Sequence, residues 1–363
     1  MTPLIYVLQN GNLDGMEQMA LATLDGLRDE FKPYLFAPEG RVIKEAQQMD
    51  FVTQSFSGAI DLTMKLWSVL NTHKEFGFIA TNLTHSYSLI TLNKLYRRKI
   101  MHLHVVSGGI DDYSSFGGKS RLNYHDVSFI AVSKFVKERL IAYETRQERI
   151  RVIENFLSQK RIDNLPQSQP FTKNGVNKII VQSRLEPMKR VDLLLDALDF
   201  MPSLATLEFT VFGTGSQFET LKQRAAGRHP NVTFAGFHEN IAEAMANADL
   251  FLHLCPIESS GLTILEALAA NLPVLVADSG STGSMISNNI NGFTFHANDA
   301  EHLARRLSEL ANAPFEFLNV IAKGGKHLLN IRFSADHGLE RYRRLLTFPK
   351  TAVEDLTKGK LIM

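Results

Sequence analysis

The sequence predicts two α/β domains, each a doubly wound parallel sheet. Three observations predict it. Short apolar runs alternate with helical periodicities from residue 4 to residue 155, and the alternation restarts at residue 178. Between the two series, Ser158 to Asn177 holds Pro166 and Pro170 and little apolar periodicity, which marks a linker. Several strand-to-helix loops carry Gly, Arg, Lys or Glu, and open α/β sheets bind ligands outside the carboxyl ends of their strands. A length of 363 residues allows two domains at roughly 100–200 residues each.

The elements follow in order. Leu4 to Leu8 is a continuous apolar run, as expected of a strand buried on both faces. The loop Asn10-Gly11-Asn12-Leu13-Asp14-Gly15 comes next, and Met16, Met19, Ala20, Thr23, Leu24 and Leu27 then recur at helical spacing. Gly11 and Gly15 would let a ligand approach the backbone at a helix start, or would serve an ordinary connection. The dinucleotide fingerprint Gly-x-Gly-x-x-Gly is absent there. Tyr34 to Ala37 and Phe76 to Ala80 read as strands, Ile60 to Leu70 and Ser86 to Tyr96 as helices. Ile100 to Val106 is a strand ending in Ser107-Gly108-Gly109, with His102 and His104 on one face. A His-x-His pair can bind metal, but no third ligand is nearby in the sequence. His102 reads as structural, and His104 lies nearer the loop end. Val127 to Val132 is a strand, Ser133 an N-cap for the helix Lys134 to Ala142, and Arg151 to Ile153 a short strand.

In the second half Lys178 to Val181 is a strand, Gln182 to Arg190 a loop and Val191 to Ala197 a helix. Leu207 to Phe212 is a strand followed by Gly213-Thr214-Gly215-Ser216 and a helix from Gln217. Val232 to Phe234 is a strand, His238 to Asn247 a helix and Asp249 to Leu254 a strand. Then comes Pro256-Ile257-Glu258-Ser259-Ser260-Gly261-Leu262, an Ala/Leu-rich helix carrying Glu266, and the strand Pro273 to Ala277. Asp278 to Ser284 is a Ser/Gly-rich loop, Phe293 to Phe295 a strand, and helical periodicity runs from Asp299 to about Leu346.

Composition excludes several classes. Hydrophobic residues are 44% and charged residues 21%, ordinary for a globular chain. The net charge is +1; residues 1–168 carry 20 Lys+Arg against 18 Asp+Glu, the rest 19 against 20, so nothing global points to nucleic acid. Cys255 is the single cysteine, which excludes an internal disulfide and suits a reducing compartment. The N-terminus has no basic n-region and no small-residue cleavage site. No apolar run approaches the ~20 residues of a membrane span. A cytoplasmic protein is expected. Lys94 to Lys99 and Arg341 to Arg344 are basic clusters of the kind that dock on anionic lipid, although solvated helix faces are the simpler account.

Four loops would gather at the carboxyl edge of the second sheet: Arg184 to Lys189, Gly213 to Ser216, Glu258 to Leu262, and Asp278 to Ser284. Cations and helix-start N–H groups suit a diphosphate, and carboxylates suit the vicinal hydroxyls of a sugar. That outlines a sugar-nucleotide site. No Asp-x-Asp metal clamp occurs, and Asp111-Asp112 lies in the other half, so Arg184 and Lys189 would neutralise the diphosphate without metal. No Ser/His/Asp or Cys/His nucleophile set is legible, and Cys255 reads as a buried small hydrophobe.

ESSGLTILEALAANLPVLVAD, with Glu258 and Glu266 eight apart, resembles the Glu-x7-Glu signature of the retaining glycosyltransferase family 4. IIVQSRLEPMKRVDLLLDAL and VFGTGSQFETL are similar to that family's Arg/Lys and Gly-x-Gly loops, and AVSKFVKERL followed by VIENF to its segment before the linker. GNLDGMEQMALATL and MHLHVVSGG look like weaker forms of its first-domain motifs. The resemblance implies the GT-B fold, two Rossmann-like domains facing across a cleft, divided as 1–168 for the acceptor and 169–334 for the nucleotide-sugar donor. A helix at about 335–348 would pack back on the first domain, and 349–363 would form a tail. It implies transfer of a hexose-type sugar from a UDP- or GDP-sugar to a glycan, lipid-linked or small-molecule acceptor with retention, in polysaccharide or glycolipid synthesis.

By the same resemblance Arg184 and Lys189 hold the diphosphate, Glu266 takes the ribose hydroxyls and Glu258 lies by the donor sugar. Gly213 and Gly215, with Ser260, Gly261 and Leu262, line the donor, His104 stands near the sugar, and Gly11, Asn12 and Gly15 form the acceptor and phosphate loop. No cofactor or metal is implied. Two departures stand out: Ser259 follows the first Glu where the family has Phe or Gly, and Gly11 and Gly15 are split where it pairs them. A nucleotide-sugar epimerase on the same fold and a catalytically silent nucleotide-sugar binder are the alternatives. A phosphorylase would need a pyridoxal-phosphate lysine, which has no legible context here.

Overall fold

The computed structural model describes residues 1–108, 113–238 and 240–347. Gly109, Asp111, Asp112 and the tail 349–363 lie outside the described residues. The first series is β1 (Thr2–Val7), α1 (Gly15–Gly26), β2 (Phe31–Ala37), α2 (Arg41–Gln48), β3 (Val52–Ser55), α3 (Ala59–Thr72), β4 (Glu75–Ala80), α4 (Leu83–Tyr96), β5 (Lys99–Val106), β6 (Ser128–Ala131), α5 (Lys134–Ala142), β7 (Ile150–Val152) and α6 (Gln159–Asp163). The second is β8 (Lys178–Gln182), α7 (Asp192–Phe200), β9 (Glu208–Phe212), α8 (Phe218–Ala226), β10 (Val232–Gly236), α9 (Ala242–Ala246), β11 (Leu250–His253), α10 (Leu262–Ala269), β12 (Val274–Ala277), α11 (Thr282–Met285) and β13 (Phe293–Phe295). Three helices close it: α12 (Ala300–Leu310), α13 (Phe315–Arg332) and α14 (Ala335–Leu346).

The strands form two sheets, in the orders β3-β2-β1-β4-β5-β6-β7 and β10-β9-β8-β11-β12-β13. The pairings described among β1 to β5 and among β8 to β13 are all parallel. Two parallel α/β sheets are the predicted class. The order reverses direction between β1 and β4 and between β8 and β11, and each reversal opens a crevice at the strands' carboxyl ends. Residues group into two compact units: Met1–Val105 with Tyr124–Phe129 and the helical residues from Leu339, and Val106–Asn123 with Ile130–Gly338.

Strand alternation packs both faces of the second sheet. Ile179, Val181, Leu250, Leu252, Leu275 and Ala277 enter one core, with Leu193, Leu194 and Leu303 from the helices. Ile180, Phe251, Val274 and Val276 enter the other, with Ile264, Leu265, Leu268 and Leu329. In the first unit Ile5, Val7, Phe76, Phe78 and Ala80 pack on Leu62, Leu66 and Leu70.

Sequence periodicity missed or misplaced five features. It gave no element for α2 or β3: α2 buries only Val42, Ile43 and Ala46, and β3 is a half-buried edge strand reading VTQS. Among the described residues the helix expected over His238 to Asn247 spans only α9. The linker holds a helical turn, α6, capped by Ser158 Oγ accepting from the Arg161 N–H at 3.3 Å. The Ser/Gly-rich loop turns into α11, where Thr282 Oγ1 donates to the Ala277 carbonyl. Ser133 caps α5 as expected, its Oγ accepting from the Val136 N–H at 3.2 Å. Within the first unit Arg343 of α14 pairs with Glu30 at 2.6 Å.

Candidate functional site

The crevice between β8 and β11 is built from the loops after β8, β9, β11 and β12. The loop after β8 ends in a single 3₁₀ turn, Pro187–Lys189, which aims Lys189 back over the sheet edge. Its Nζ donates to Glu258 Oε2 at 2.8 Å, although 69 residues separate the two. The other oxygen, Oε1, accepts from the N–H groups of Ser259, Ser260 and Gly261 at 3.1, 3.3 and 3.3 Å. One carboxylate thereby spans the crevice and sits over the N-terminus of α10. Gly261 holds φ +61 at the N-cap of that helix, the left-handed conformation that favours glycine. Leu262 opens the helix.

Sequence reasoning assigned no role to His253, the last residue of β11. It is 5% exposed, and its Nε2 lies 3.3 Å from Glu258 Oε2. Its ring stacks beside Phe251, two residues earlier on the same face. The available signal was its position: a histidine at a strand's carboxyl end, five residues before the acid. Burial works against charge on Glu258, but His253 and Lys189 outweigh it and hold the carboxyl well below its ordinary value. Burial would lower the Lys189 pKa, and the Glu258 carboxylate, the larger influence in sum, holds it above its ordinary value. Arg184 is exposed and near enough to act electrostatically on Lys189 and on Glu186.

The two glycine positions of the next loop serve backbone packing. A Cβ at Gly213 would fall 1.8 Å from the Ser183 carbonyl, and one at Gly215 2.5 Å from the Leu185 carbonyl. Leu185 N–H donates to Thr214 O and Gln217 N–H to Leu185 O, both at 2.9 Å. Glu186, also given no role by the sequence, accepts from the Ser216 N–H at 3.1 Å and from its hydroxyl at 2.6 Å. From the other side, the Ser281 N–H donates to the Glu258 carbonyl at 2.8 Å, and Ser279 Oγ to the Pro256 carbonyl at 2.6 Å. Ser259 lies against Gly108 within the second unit: a Cβ at Gly108 would stand 2.9 Å from that of Ser259. A small side chain after Glu258 suits that contact.

Glu266 lies elsewhere on α10, 8% exposed and ion-paired with Arg161 of α6. The structure thus gives the two acids separate partners. Burial raises the Glu266 pKa, with Arg161 opposing it. Arg161 sits in the segment read as linker, 105 residues away, and nothing local announced it.

The acids make opposite predictions for stability against pH. Glu258 has its folded pKa below the ordinary 4.5, so its stabilisation is complete above that value and is lost as the pH falls through the folded one. Glu266 has its folded pKa above 4.5, so the cost of its buried charge is relieved as the pH falls. Melting temperatures recorded from about pH 7 to about pH 3 should fall less steeply for Glu258→Gln than for the wild type, and more steeply for Glu266→Gln. Parallel curves for all three proteins would contradict the assignment.

In the first unit Gly11 is a point of close backbone approach: its Cβ would meet the Glu39 carbonyl at 2.3 Å, and its own carbonyl accepts from the Val42 N–H. Asn12 is exposed, and Gly15 is half-buried at the start of α1. His104 is fully buried in β5; Ser86 Oγ bridges His104 Nδ1 at 2.9 Å and His102 Nε2 at 3.0 Å. Burial, with His125 nearby, lowers the His102 pKa to about 3, which favours the neutral ring.

Among the described residues one group has three ligand atoms close enough for a metal, His253, Cys255 and Glu258, within 4.8 Å of one another. The Lys189 ammonium already stands on Glu258 at 2.8 Å, where a cation would have to sit, so these residues do not suit a metal. Cys255 is buried, and burial pushes its thiol up, as for an inert small hydrophobe.

The crevice residues on the loops after β8, β9, β11 and β12, from Arg184 to Ser281, lie inside one matched segment. Residues 163–328 match the family model described as glycosyl transferases group 1. Gly11, Asn12, Gly15 and His104 fall outside the match. The chain is 26% identical over 167 residues to an N-acetyl-alpha-D-glucosaminyl L-malate synthase of Bacillus anthracis, covering 44% of each. It is 30% identical over 145 residues to the lipopolysaccharide glucosyltransferase WaaG of Escherichia coli, covering 37% of this chain and 38% of that one. The chain therefore matches less than half the length of these two relatives. Among solved structures it is similar to Anabaena HepE in complex with UDP-glucose, with a TM-score of 0.80, 19% identity and coverage of 95% and 99%. A glycosyltransferase from Rickettsia africae gives a TM-score of 0.78 at 19% identity, with coverage of 96% and 99%. These likenesses show the fold, which is GT-B.

Proposed function

We propose that this chain is a retaining glycosyltransferase that moves a hexose-type sugar from a UDP- or GDP-sugar to a glycan, lipid-linked or small-molecule acceptor, without a metal, in polysaccharide or glycolipid synthesis. The observation that carries the reading is the cluster at the switch point: Lys189 and the N–H groups of residues 259–261 converge on one carboxylate within the matched segment. These are donors for an anion, and a nucleoside diphosphate is the anion such a crevice accommodates. The relatives named as an N-acetyl-alpha-D-glucosaminyl L-malate synthase and a lipopolysaccharide glucosyltransferase, and the neighbour bound to UDP-glucose, support a sugar-nucleotide donor.

In this reading Lys189, Arg184 and the α10 N-terminus stabilise the departing diphosphate as its charge develops. The carbon left behind becomes oxocarbenium-like. With no nucleophile set legible, the acceptor attacks from the face the diphosphate leaves, and the leaving phosphate takes its proton. Glu258 faces the transferred sugar and Glu266 the ribose; for His104, fully buried in β5, the resemblance alone supports a place near the sugar. The acceptor falls to residues 1–168, with the loop of Gly11, Asn12 and Gly15, and the donor to residues 169–334. The protein works in the cytoplasm, at the inner face of the membrane where the acceptor is lipid-linked.

A mass-spectrometric screen of UDP- and GDP-sugars with glycan and lipid acceptors tests this. A transferred sugar with the donor's anomeric configuration is the expected product. Isomerised donor without transfer would instead establish an epimerase, and bound nucleotide without turnover a silent binder.

A further inference from the structure

His253 has no place in the chemistry described so far, yet it is buried against the reacting region. Its Nε2 lies 3.3 Å from Glu258 Oε2, farther than Lys189 Nζ at 2.8 Å, and makes no well-directed hydrogen bond there. Glu258 is held by the donors that a diphosphate needs: Lys189 on one oxygen and three backbone N–H groups on the other. A diphosphate taking those donors would strip the carboxylate of its partners while it stays largely buried, with a side-chain exposure of 13%. A buried carboxylate without hydrogen-bond partners is strongly disfavoured. His253 Nε2, 3.3 Å from Oε2, is a further donor already within reach.

We infer that His253 is a positioning residue for Glu258: when the donor's diphosphate claims Lys189 and the α10 N–H groups, His253 Nε2–H takes over Glu258 Oε2 and fixes the carboxylate toward the transferred sugar. This rests on the donor-site reading above. The ring is suited to the task because it cannot follow the diphosphate. It is the last residue of β11, is 5% exposed, and stacks beside Phe251 with an interplanar angle of 14°. Lys189, on a flexible stem, can turn to the phosphate; His253 stays with the acid. The site therefore exchanges one partner of Glu258 for another as it fills.

The test uses the full chain with the sugar donor it turns over. His253→Phe keeps a flat ring beside Phe251 and removes the donor; His253→Gln keeps an N–H at a similar reach. For His253→Phe, kcat should fall by about tenfold or more, the loss of one hydrogen bond to a charged group, with UDP affinity by titration within about twofold of wild type. His253→Gln should recover most of the lost kcat. A His253→Phe enzyme with wild-type kcat overturns the inference. So does equal loss in both variants, which would mean the ring only packs, and so does a loss of UDP affinity matching the loss of kcat. If His253→Phe is insoluble, His253→Leu is measured in the same way against His253→Gln. Wild-type protein that neither binds UDP nor turns over any nucleotide sugar refutes the donor-site reading itself, a result separate from any of these.

Discussion

Replacing Lys189 with alanine is expected to lower sugar transfer by about 10²–10³-fold, the range seen when one preorganised group facing a developing anion is removed. Lys189 projects from a 3₁₀ turn at the edge of the sheet, and its charge is held on by Glu258 at 2.8 Å. In the proposed reaction that ammonium moves to the departing diphosphate, and its pull grows as the glycosidic bond breaks. The fold should tolerate the change. Glu258 Oε1 keeps its three backbone N–H donors, and His253 remains beside Oε2. The check pairs steady-state transfer rates with calorimetry: the melting temperature should fall, because a largely buried carboxylate loses its ammonium partner, while the protein stays folded at the assay temperature and the rate collapses. A Lys189→Ala protein with a normal rate would remove Lys189 from the mechanism.

The second large effect is structural. Gly213→Ala should destabilise the second unit by about 3 kcal/mol or more, beyond the usual cost of a single substitution. Gly213 has φ +127, a backbone conformation that L side chains rarely adopt, and its new Cβ would lie 1.8 Å from a carbonyl oxygen. Neither the Ser183 carbonyl nor the loop can retreat easily, because the Ser183 N–H is bonded to Phe212 O at 3.0 Å and the Gly213 N–H to Gly236 O at 2.7 Å. A lower calorimetric transition, with weaker UDP binding because the neighbouring Arg184 to Lys189 loop shifts, is the expected result. Unchanged stability would show that the two loops do not depend on this contact.

Much of the fold was legible in the sequence because it rests on short-range rules. Apolar runs such as Lys178-Ile179-Ile180-Val181 admit a buried parallel strand, and Ser133 ahead of Lys134 to Ala142 marks a helix start. The features that escaped had weak local signals. Strand β3 holds one apolar residue in VTQS and lies at the sheet edge, where little burial is needed. Helix α6 is five residues inside a proline-bearing linker, and its start is marked only by Ser158.

The site divides along the same line. From the sequence alone came the loops that carry it: Arg184 to Lys189, Gly213 to Ser216 and Glu258 to Leu262 all follow strands, so they collect at one edge of one sheet. Tertiary structure decided what each group does there. Only strand order could bring Lys189 onto Glu258 across 69 residues, and only the packing of α6 could pair Arg161 with Glu266 across 105. It also turned two acids eight positions apart into groups with opposite pKa shifts, and placed His253 beneath the first of them. Periodicity is set by neighbours along the chain, so a sequence displays it. The partner of a charge is set by the order of strands in the sheet, which appears only once the chain has folded.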